Sequence, residues 1–237
     1  IIGDIGTDGG AYNTMQFGGS GIDEMSVESR LTLTNMTTEA GAKNGIIEAD
    51  EKTINYLQQR GATNLNQIKS DEDAEYAKIF EYEASEIEPI VAKPYSPENI
   101  TQVRDVSSIE LDKAYIGSCT GAKYEDLLAA AKILKGKQVK IRTEVLPAAI
   151  SIYKRAMQDG LLQIFMDAGA MVGPPTCGAC CGAHMGVLAK DEICISTTNR
   201  NFPGRMGHID SQTYLASPLV AAASAVTGKI TDPRDLN

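Results

Sequence analysis

The chain has 237 residues, of which 43% are hydrophobic, and its formal net charge is −9. A chain of this length can bury a full core and is expected to form two domains. The sequence contains no apolar run of about 18 residues, which excludes a conventional membrane-spanning helix. The acidic balance argues against nucleic acid or an anionic membrane as the main partner.

Residues 1–90 are predicted to form a first α/β domain. Glycines up to residue 21 indicate turns, because no G-x-G-x-x-G stands between a strand and a helix. A helix is predicted from Ser26 to Gly41. A short strand at 45–47, a helix at 51–59 and an acidic surface helix at 71–82 are predicted to follow.

Asn35 and Glu39 lie four residues apart in the first of these predicted helices, so they are expected to share one face. On the residues alone, the favoured interpretation is a routine solvent-exposed face that ends in a glutamate.

Residues 91–237 are predicted to form a second α/β domain. Three prolines between 86 and 101 indicate a linker before it. Strands are then predicted at 114–116, 139–143, 170–172 and 193–195, with helices at 124–134, 148–158 and 215–226. This alternation predicts a three-layer αβα fold with a mostly parallel sheet and helices on both faces.

Three cysteines carry the strongest chemical signal. Cys119 directly follows a predicted strand, at the sheet edge where such folds bind ligands, and Cys177 and Cys180 form a Cys-x-x-Cys turn. Three thiolates fall one short of the four that close an ordinary cubane cluster. We therefore predict a [4Fe–4S] cluster with one iron that is not bound by cysteine.

Two other interpretations of the cysteines stay open at this point. The number of cysteines is five, which is odd, and all lie between 119 and 194, which indicates reduced cytoplasmic thiols or metal ligands and not a disulfide framework. In the first interpretation the thiols are inert and buried, with Cys181 and Cys194 as small core residues. Alternatively, three thiols would hold zinc together with His184 or His208.

A second candidate segment, 197–207, follows the strand at 193–195. It contains Asn199, Arg200 and Arg205 in a loop braced by proline and glycine. Arginine guanidinium groups bind carboxylates through forked, charge-assisted hydrogen bonds. The loop is therefore a candidate site for an anionic substrate, with a solvated loop as the plainer interpretation.

The chain resembles the aconitase superfamily over nearly its whole length. Four segments carry the resemblance, and they are SVESRLTLTNMTTEAGAKNGII from Ser26, IGSCTGAKYEDL from Ile116, PPTCGACCGAHMGVLA from Pro174 and ICISTTNRNFPGRMG from Ile193. Within the superfamily it is most similar to the large subunits of two-subunit hydro-lyases, the isopropylmalate isomerases (3-isopropylmalate dehydratases) and the homoaconitases. The resemblance implies two aconitase-type domains, the first incomplete.

The resemblance also implies roles for individual residues. The implied ligands of a [4Fe–4S] cluster are Cys119, Cys177 and Cys180. The implied substrate-binding residues are Asn199, Arg200 and Arg205. The implied catalytic residues are Asn35, Glu39, Arg200 and Arg205, with Glu39 transferring a proton. The implied reaction converts 2-isopropylmalate to 3-isopropylmalate by dehydration and rehydration in leucine biosynthesis, with a homocitrate-type substrate or a zinc-binding structural module as alternatives.

Three departures from the family pattern stand out. Gly121 replaces an asparagine that many members carry, and Cys181 replaces an aliphatic residue. The family's large subunits begin with a histidine-bearing segment that has no counterpart in this sequence, and their catalytic serine lies on a swivelling small subunit. The resemblance thus implies the C-terminal portion of a cytoplasmic large subunit that needs this partner and acts on a small di- or tricarboxylate.

Overall fold

The computed structural model describes residues 1–236, which form two compact units. One unit contains residues 8–88, and the other contains residues 1–7 together with the chain from 89 onward. Across the described residues, no helix has the length and apolar character needed to cross a membrane.

Helices and strands alternate along much of the described chain. The helices are α1 (Ile2–Ile5), α2 (Ser20–Glu24), α3 (Val27–Asn35), α4 (Glu51–Gln58), α5 (Ser118–Gly121), α6 (Tyr124–Leu134), α7 (Ile150–Gln158), α8 (Leu161–Asp167) and α9 (Pro218–Thr227). The strands are β1 (Thr14–Phe17), β2 (Asn44–Ile47), β3 (Ile90–Ala92), β4 (Ile100–Gln102), β5 (Lys113–Gly117), β6 (Arg142–Leu146), β7 (Met171–Val172), β8 (Ile193–Ser196) and β9 (Gln212–Ala216).

The unit of residues 8–88 is built on the parallel pair β1 and β2, against which α3 packs. Gly45 allows the close approach, because a Cβ atom there would lie 2.9 Å from the backbone of Thr34. The predicted acidic helix at 71–82 is wrong, since the chain makes one turn there and is otherwise irregular and exposed. A helix of that length depends on packing of one face, and the described structure offers none.

A buried arginine ties the helices of this unit together. The Arg30 guanidinium donates to Asp50 at 2.6 Å and to the carbonyl oxygens of Ile22 and Asp23. Asp50 also caps α4 by accepting from the amide of Thr53 at 2.9 Å. The hydrogen bond from Arg30, supported by those from Thr53, holds the pKa of Asp50 well below its usual range.

The other unit contains a seven-stranded sheet in the order β4-β3-β9-β8-β5-β6-β7. Its five strands from β9 to β7 run parallel, and β3 and β4 are antiparallel at one edge. The predicted α/β class with a mostly parallel sheet is confirmed. The predicted linker at 86–101 is wrong in part, because β3 and most of β4 lie in it.

Two other boundaries differ from the prediction. The strand predicted at 139–143 lies at 142–146, because Glu144 is buried within it beside Lys113. The helix predicted from 215 begins at Pro218, since residues 212–216 form β9. In both cases a contact distant in sequence decides the boundary.

The two faces of this sheet carry different layers. Alternation along β5 directs Ala114 and Ile116 into a core shared with α6, α7, α8 and α9. Tyr115 faces the other way, into a smaller core with Leu146, Cys180 and other residues of the loops. The second face is therefore covered by loops and a short 3₁₀ helix in the segment that bears Cys177 and Cys180.

Candidate functional site

Cys119 lies in a sharp turn at the carboxyl end of β5. Ser118, the residue before it, has φ +79, a left-handed conformation that costs a non-glycine residue about 1 kcal/mol or more. The Ser118 hydroxyl accepts from the amides of Thr120 at 3.1 Å and Gly121 at 3.4 Å. These hydrogen bonds fix the turn, and the Cys119 residue itself is exposed.

The turn is held against the end of β8 by a close backbone approach. A Cβ atom at Gly121 would lie 2.8 Å from Oγ1 of Thr197, so glycine is required for this spacing. The asparagine that many family members carry at this position would not fit without movement of the backbone. Glycine at position 121 therefore lets the Cys119 turn pack closer to Thr197 than asparagine would.

The second thiol segment contains the 3₁₀ helix Gly178–Cys181. Gly178 has φ +50, and its amide donates to the hydroxyl of Thr176 at 3.0 Å. A Cβ atom at Gly178 would lie 2.6 Å from Leu146, so the backbone packs directly on the sheet. Cys180 is buried, with 7% of its surface exposed, whereas Cys177 is exposed.

Cys119 and Cys177 both lie close enough to Cys180 for their charges to act on its thiol. Burial raises the pKa of the Cys180 thiol, and the neighbouring Cys119 and Cys177 raise it further. The Arg205 guanidinium, which hydrogen-bonds to Cys180, acts in the opposite direction. Sulfur atoms from two separate loops therefore lie within range of one another's charge, beside a cation.

A single zinc ion held by the thiols and a histidine is not supported by the described residues. Within residues 1–236, no three His, Cys, Asp or Glu side chains are placed to hold one metal ion. His184 instead contacts the hydroxyl of Thr176 at 3.0 Å, and Nδ1 of His208 accepts from the amide of Asp210 at 3.1 Å. In a cubane cluster each thiolate binds a different iron atom, so the sulfur atoms stand apart around a cage.

The remaining two cysteines differ from each other. Cys194 is fully buried on β8, and burial raises its pKa to about 12, so the interpretation of this residue as a small core side chain is confirmed. For Cys181 the same interpretation is wrong, because Cys181 is exposed. Its neighbour Cys180 takes the buried position in the 3₁₀ turn.

The arginine-bearing loop is anchored by a buried asparagine. Nδ2 of Asn201 donates to the carbonyl oxygens of Lys93 at 2.8 Å and Thr213 at 3.2 Å, which ties the loop to β9 and to the end of β3. Asn199 and Arg200 are partly exposed, just beyond the end of β8. Nε of Arg205 is buried and has no hydrogen-bond partner among residues 1–236.

Asn35 and Glu39 lie in the unit of residues 8–88, and they do not share one helix face. The α-helix ends at Asn35, and Glu39 lies on a following 3₁₀ helix, Met36–Ala40. Asn35 is exposed, whereas Glu39 is buried with 5% of its surface exposed. The prediction of a shared face was wrong because the chain forms a 3₁₀ helix after Asn35, and a 3₁₀ helix has three residues per turn.

Two residues that support the thiol site were missed by the sequence analysis. Tyr115 donates from its hydroxyl to the carbonyl oxygen of Cys177 at 2.9 Å. Thr197 makes two hydrogen bonds with the backbone of Gly117, two residues before Cys119. The sequence did carry a signal for Tyr115. It is a tyrosine in a strand, two residues before a glycine, on the face that points away from the helices.

Comparison with known proteins places these features in a family. The sequence profile described as "Aconitase family (aconitate hydratase)" matches residues 1–110 and 100–228. The 3-isopropylmalate dehydratase large subunit of Clostridium kluyveri is 53% identical over 238 residues, which is 100% of this chain and 57% of that protein. The 3-isopropylmalate dehydratase large subunit 1 of Pyrococcus furiosus is 52% identical over 99% of this chain and 56% of that protein.

The chain thus spans little more than half the length of these relatives. A solved structure of Thermococcus kodakaraensis aconitase X matches 47% of the chain at 16% identity, with a TM-score of 0.32 that is too low to support an argument about the fold. The profile match and the identities to these relatives are decisive by themselves. The chain belongs to the aconitase family.

Proposed function

We propose that this chain is the cluster-bearing portion of the large subunit of a 3-isopropylmalate dehydratase. The reaction would interconvert 2-isopropylmalate and 3-isopropylmalate by dehydration and rehydration, a step of leucine biosynthesis. The identity of about 50% to dehydratase large subunits along the full chain supports this substrate over a homocitrate-type acid. The observation that carries the proposal is the proximity of Cys119, Cys177 and Arg205 to the buried Cys180.

Family membership implies an iron–sulfur cluster. We propose that it is a [4Fe–4S] cluster held by Cys119, Cys177 and Cys180, with one iron left without a cysteine ligand. The donor set supports this assignment, because thiols from two loops lie close enough for Cys119 and Cys177 to act on the charge of Cys180. When bound, such a cluster would supply Lewis-acid chemistry at its open iron.

The arginines would bind the substrate carboxylates. The position of Arg205 next to Cys180, with Nε buried and not hydrogen-bonded within residues 1–236, supports a role as a fixed donor. Arg200 lies on the same loop and is partly exposed. Two guanidinium groups would orient a dicarboxylate and offset the negative charge that develops as a proton leaves the carbon beside a carboxylate.

Asn35 and Glu39 would complete the catalytic set. A carboxyl group held away from bulk water is suited to hold or transfer a proton, and Glu39 is buried in its own unit. Asn35 and Asn199 would each contribute a polar contact. These roles rest on the resemblance to the family and on the burial of Glu39.

The relatives are named large subunits, so we propose a small subunit as the partner of this protein. In this family the small subunit carries the serine that acts as catalytic base, and the chain alone is expected to show no useful turnover. Strong hydratase activity of the isolated chain would contradict that expectation.

The ligand assignment is tested by anaerobic reconstitution of the chain with iron and sulfide. Replacing Cys177 with serine is expected to abolish the visible absorbance of the cluster and most of the bound iron. The matched control is Cys181→Ser, which removes an exposed thiol in the same turn and should leave both unchanged. Equal iron content in parent and Cys177→Ser chains would overturn the assignment.

The substrate assignment is tested with the full-length large subunit and its small subunit. Each candidate acid is supplied in turn, and the ultraviolet absorbance of the unsaturated intermediate is followed. Turnover of isopropylmalate is expected. Turnover of homocitrate-type acids alone would show that the longer acid is the substrate.

A further inference from the structure

Side chains of β5 hold the cysteine segment at two points. Tyr115 is fully buried, and its hydroxyl donates to the carbonyl oxygen of Cys177 at 2.9 Å. The first cysteine of the Cys-x-x-Cys turn is thus bonded directly to the central part of the sheet.

The second contact lies beyond the cysteines. Lys113 is fully buried, and its ammonium donates to the carbonyl oxygen of Gly186 and pairs with Oε2 of Glu144 at 3.2 Å. Gly186 has φ +82, and a Cβ atom there would lie 2.7 Å from Oε1 of Glu144. The glycine, the lysine and the glutamate therefore fit one another closely.

A buried ion pair of this kind is weak evidence for stability as such. Removing two charges from water costs several kcal/mol per ion, and replacing such pairs with apolar residues is often neutral or stabilising. What the pair provides in this fold is a fixed donor for the carbonyl of Gly186. Its geometry therefore indicates a role in placing the chain that follows Cys180.

The same strand also leads directly into the third thiol. β5 ends at Gly117, and the chain then turns through Ser118 to Cys119. One strand thus fixes Cys119 through the backbone, Cys177 through Tyr115, and the far end of the cysteine segment through Lys113. Both thiol loops are therefore positioned by the same part of the sheet.

We propose that Tyr115 and Lys113 are positioning residues of the three-thiol site, which hold the segment 177–186 at a set distance from Cys119 before a cluster is bound. The inference rests on the proposed function in that it takes the three cysteines as cluster ligands. Its physical reason is preorganisation, since loops that are already ordered lose less conformational freedom when they bind.

Tyr115→Phe is the sharpest variant, because it removes one hydroxyl and keeps the buried ring. Its matched control is Tyr214→Phe, which alters a buried tyrosine on the helix-covered face of the same sheet. For Lys113, the double variant Lys113→Met with Glu144→Gln avoids leaving a buried carboxylate without its cation. Both changes leave the cysteines intact.

The first measurement is hydrogen–deuterium exchange on the cluster-free chain. Tyr115→Phe is expected to speed exchange in peptides covering 177–186 by roughly fivefold, the effect of losing one buried hydrogen bond. Exchange in the helices α6 and α9 should stay as in the parent. The double variant is expected to show the same local change, centred on Gly186.

The second measurement uses the chain reconstituted with iron and sulfide. Loss of visible absorbance to an iron chelator should be roughly fivefold faster in Tyr115→Phe than in Tyr214→Phe. After one-electron reduction with dithionite, which makes a [4Fe–4S] cluster paramagnetic, its electron paramagnetic resonance spectrum should also shift, which a change in global stability alone would not produce.

The outcomes separate the two proposals. A parent chain that takes up no iron and sulfide would overturn the proposed function. A parent that forms the cluster, with Tyr115→Phe matching Tyr214→Phe in exchange and in cluster loss, would overturn the positioning role and leave the proposed function standing.

Discussion

The hydroxyl of Thr197 accepts from the amide of Gly117 at 2.9 Å and donates to the carbonyl oxygen of the same residue at 3.0 Å. The amide of Thr197 also donates to the carbonyl oxygen of Tyr115 at 3.0 Å. One side chain thereby extends the pairing of β5 and β8 to the point where both strands end. It sets the spacing between the turn that carries Cys119 and the loop that carries the arginines.

Thr197→Val is expected to lower the free energy of unfolding by about 2 kcal/mol, because two buried backbone groups of Gly117 would lose their partner. Thr197→Ser keeps the hydroxyl and should cost less than about 1 kcal/mol. Urea unfolding of the two variants measures the difference. Equal stability of the valine and serine variants would show that these hydrogen bonds contribute nothing.

Gly121→Ala tests the close approach of the Cys119 turn to β8. The added methyl group would stand 2.5 Å from Cβ of Thr197, so we expect destabilisation of about 1–3 kcal/mol. The control is Gly18→Ala, where a Cβ atom would meet nothing within 4 Å. Thermal unfolding that is unchanged in Gly121→Ala would mean that the two segments separate easily.

Asp50→Asn tests the ion pair that joins α3 to the start of α4. The pKa of Asp50 is lowered, first by the hydrogen bond from Arg30, so its contribution is present above the unfolded pKa of about 3.9 and is lost as the pH falls toward the folded pKa. The side chain is 36% exposed, and solvent screening limits the loss at neutral pH to about 1 kcal/mol. Asparagine keeps the helix cap.

The measurement is the free energy of unfolding of parent and Asp50→Asn as a function of pH. The gap between them should be largest at neutral pH and should shrink as the pH falls below about 4. A gap that stays constant into the acid range would mean that the charge of Asp50 contributes nothing to stability.

Alkylation of the cluster-free chain tests which cysteines are buried and which are exposed. Cys194 is fully buried with a pKa of about 12, so its thiolate form is scarce and it should resist iodoacetamide until the chain unfolds. Cys119, Cys177 and Cys181 are exposed and should react in the folded chain. Mass spectrometry of peptides identifies the sites, and early modification of Cys194 would contradict its burial.

Several features of the fold were predictable because they depend on residues close in sequence. Apolar residues in β5 and β8 form short runs followed by turn residues, and these runs predicted parallel strands with Cys119 and Arg200 beyond their carboxyl ends. The helix at 124–134 was also predicted correctly, because its pattern depends on residues close in sequence. The segment 71–82 was one of the errors, because a locally plausible helix has no surface on which to pack there.

The sequence by itself determined the family, the α/β class, and the positions of the thiols and arginines along the chain, since motif spacing and periodicity are local properties. Only the tertiary structure decided which cysteines are buried, that Glu39 is buried, and which side chains hold the cysteine segment in place. Lys113 and Gly186 are 73 residues apart, and Tyr115 and Cys177 are 62 apart. The free energy of a buried polar group depends on partners at such distances, and no local pattern specifies them.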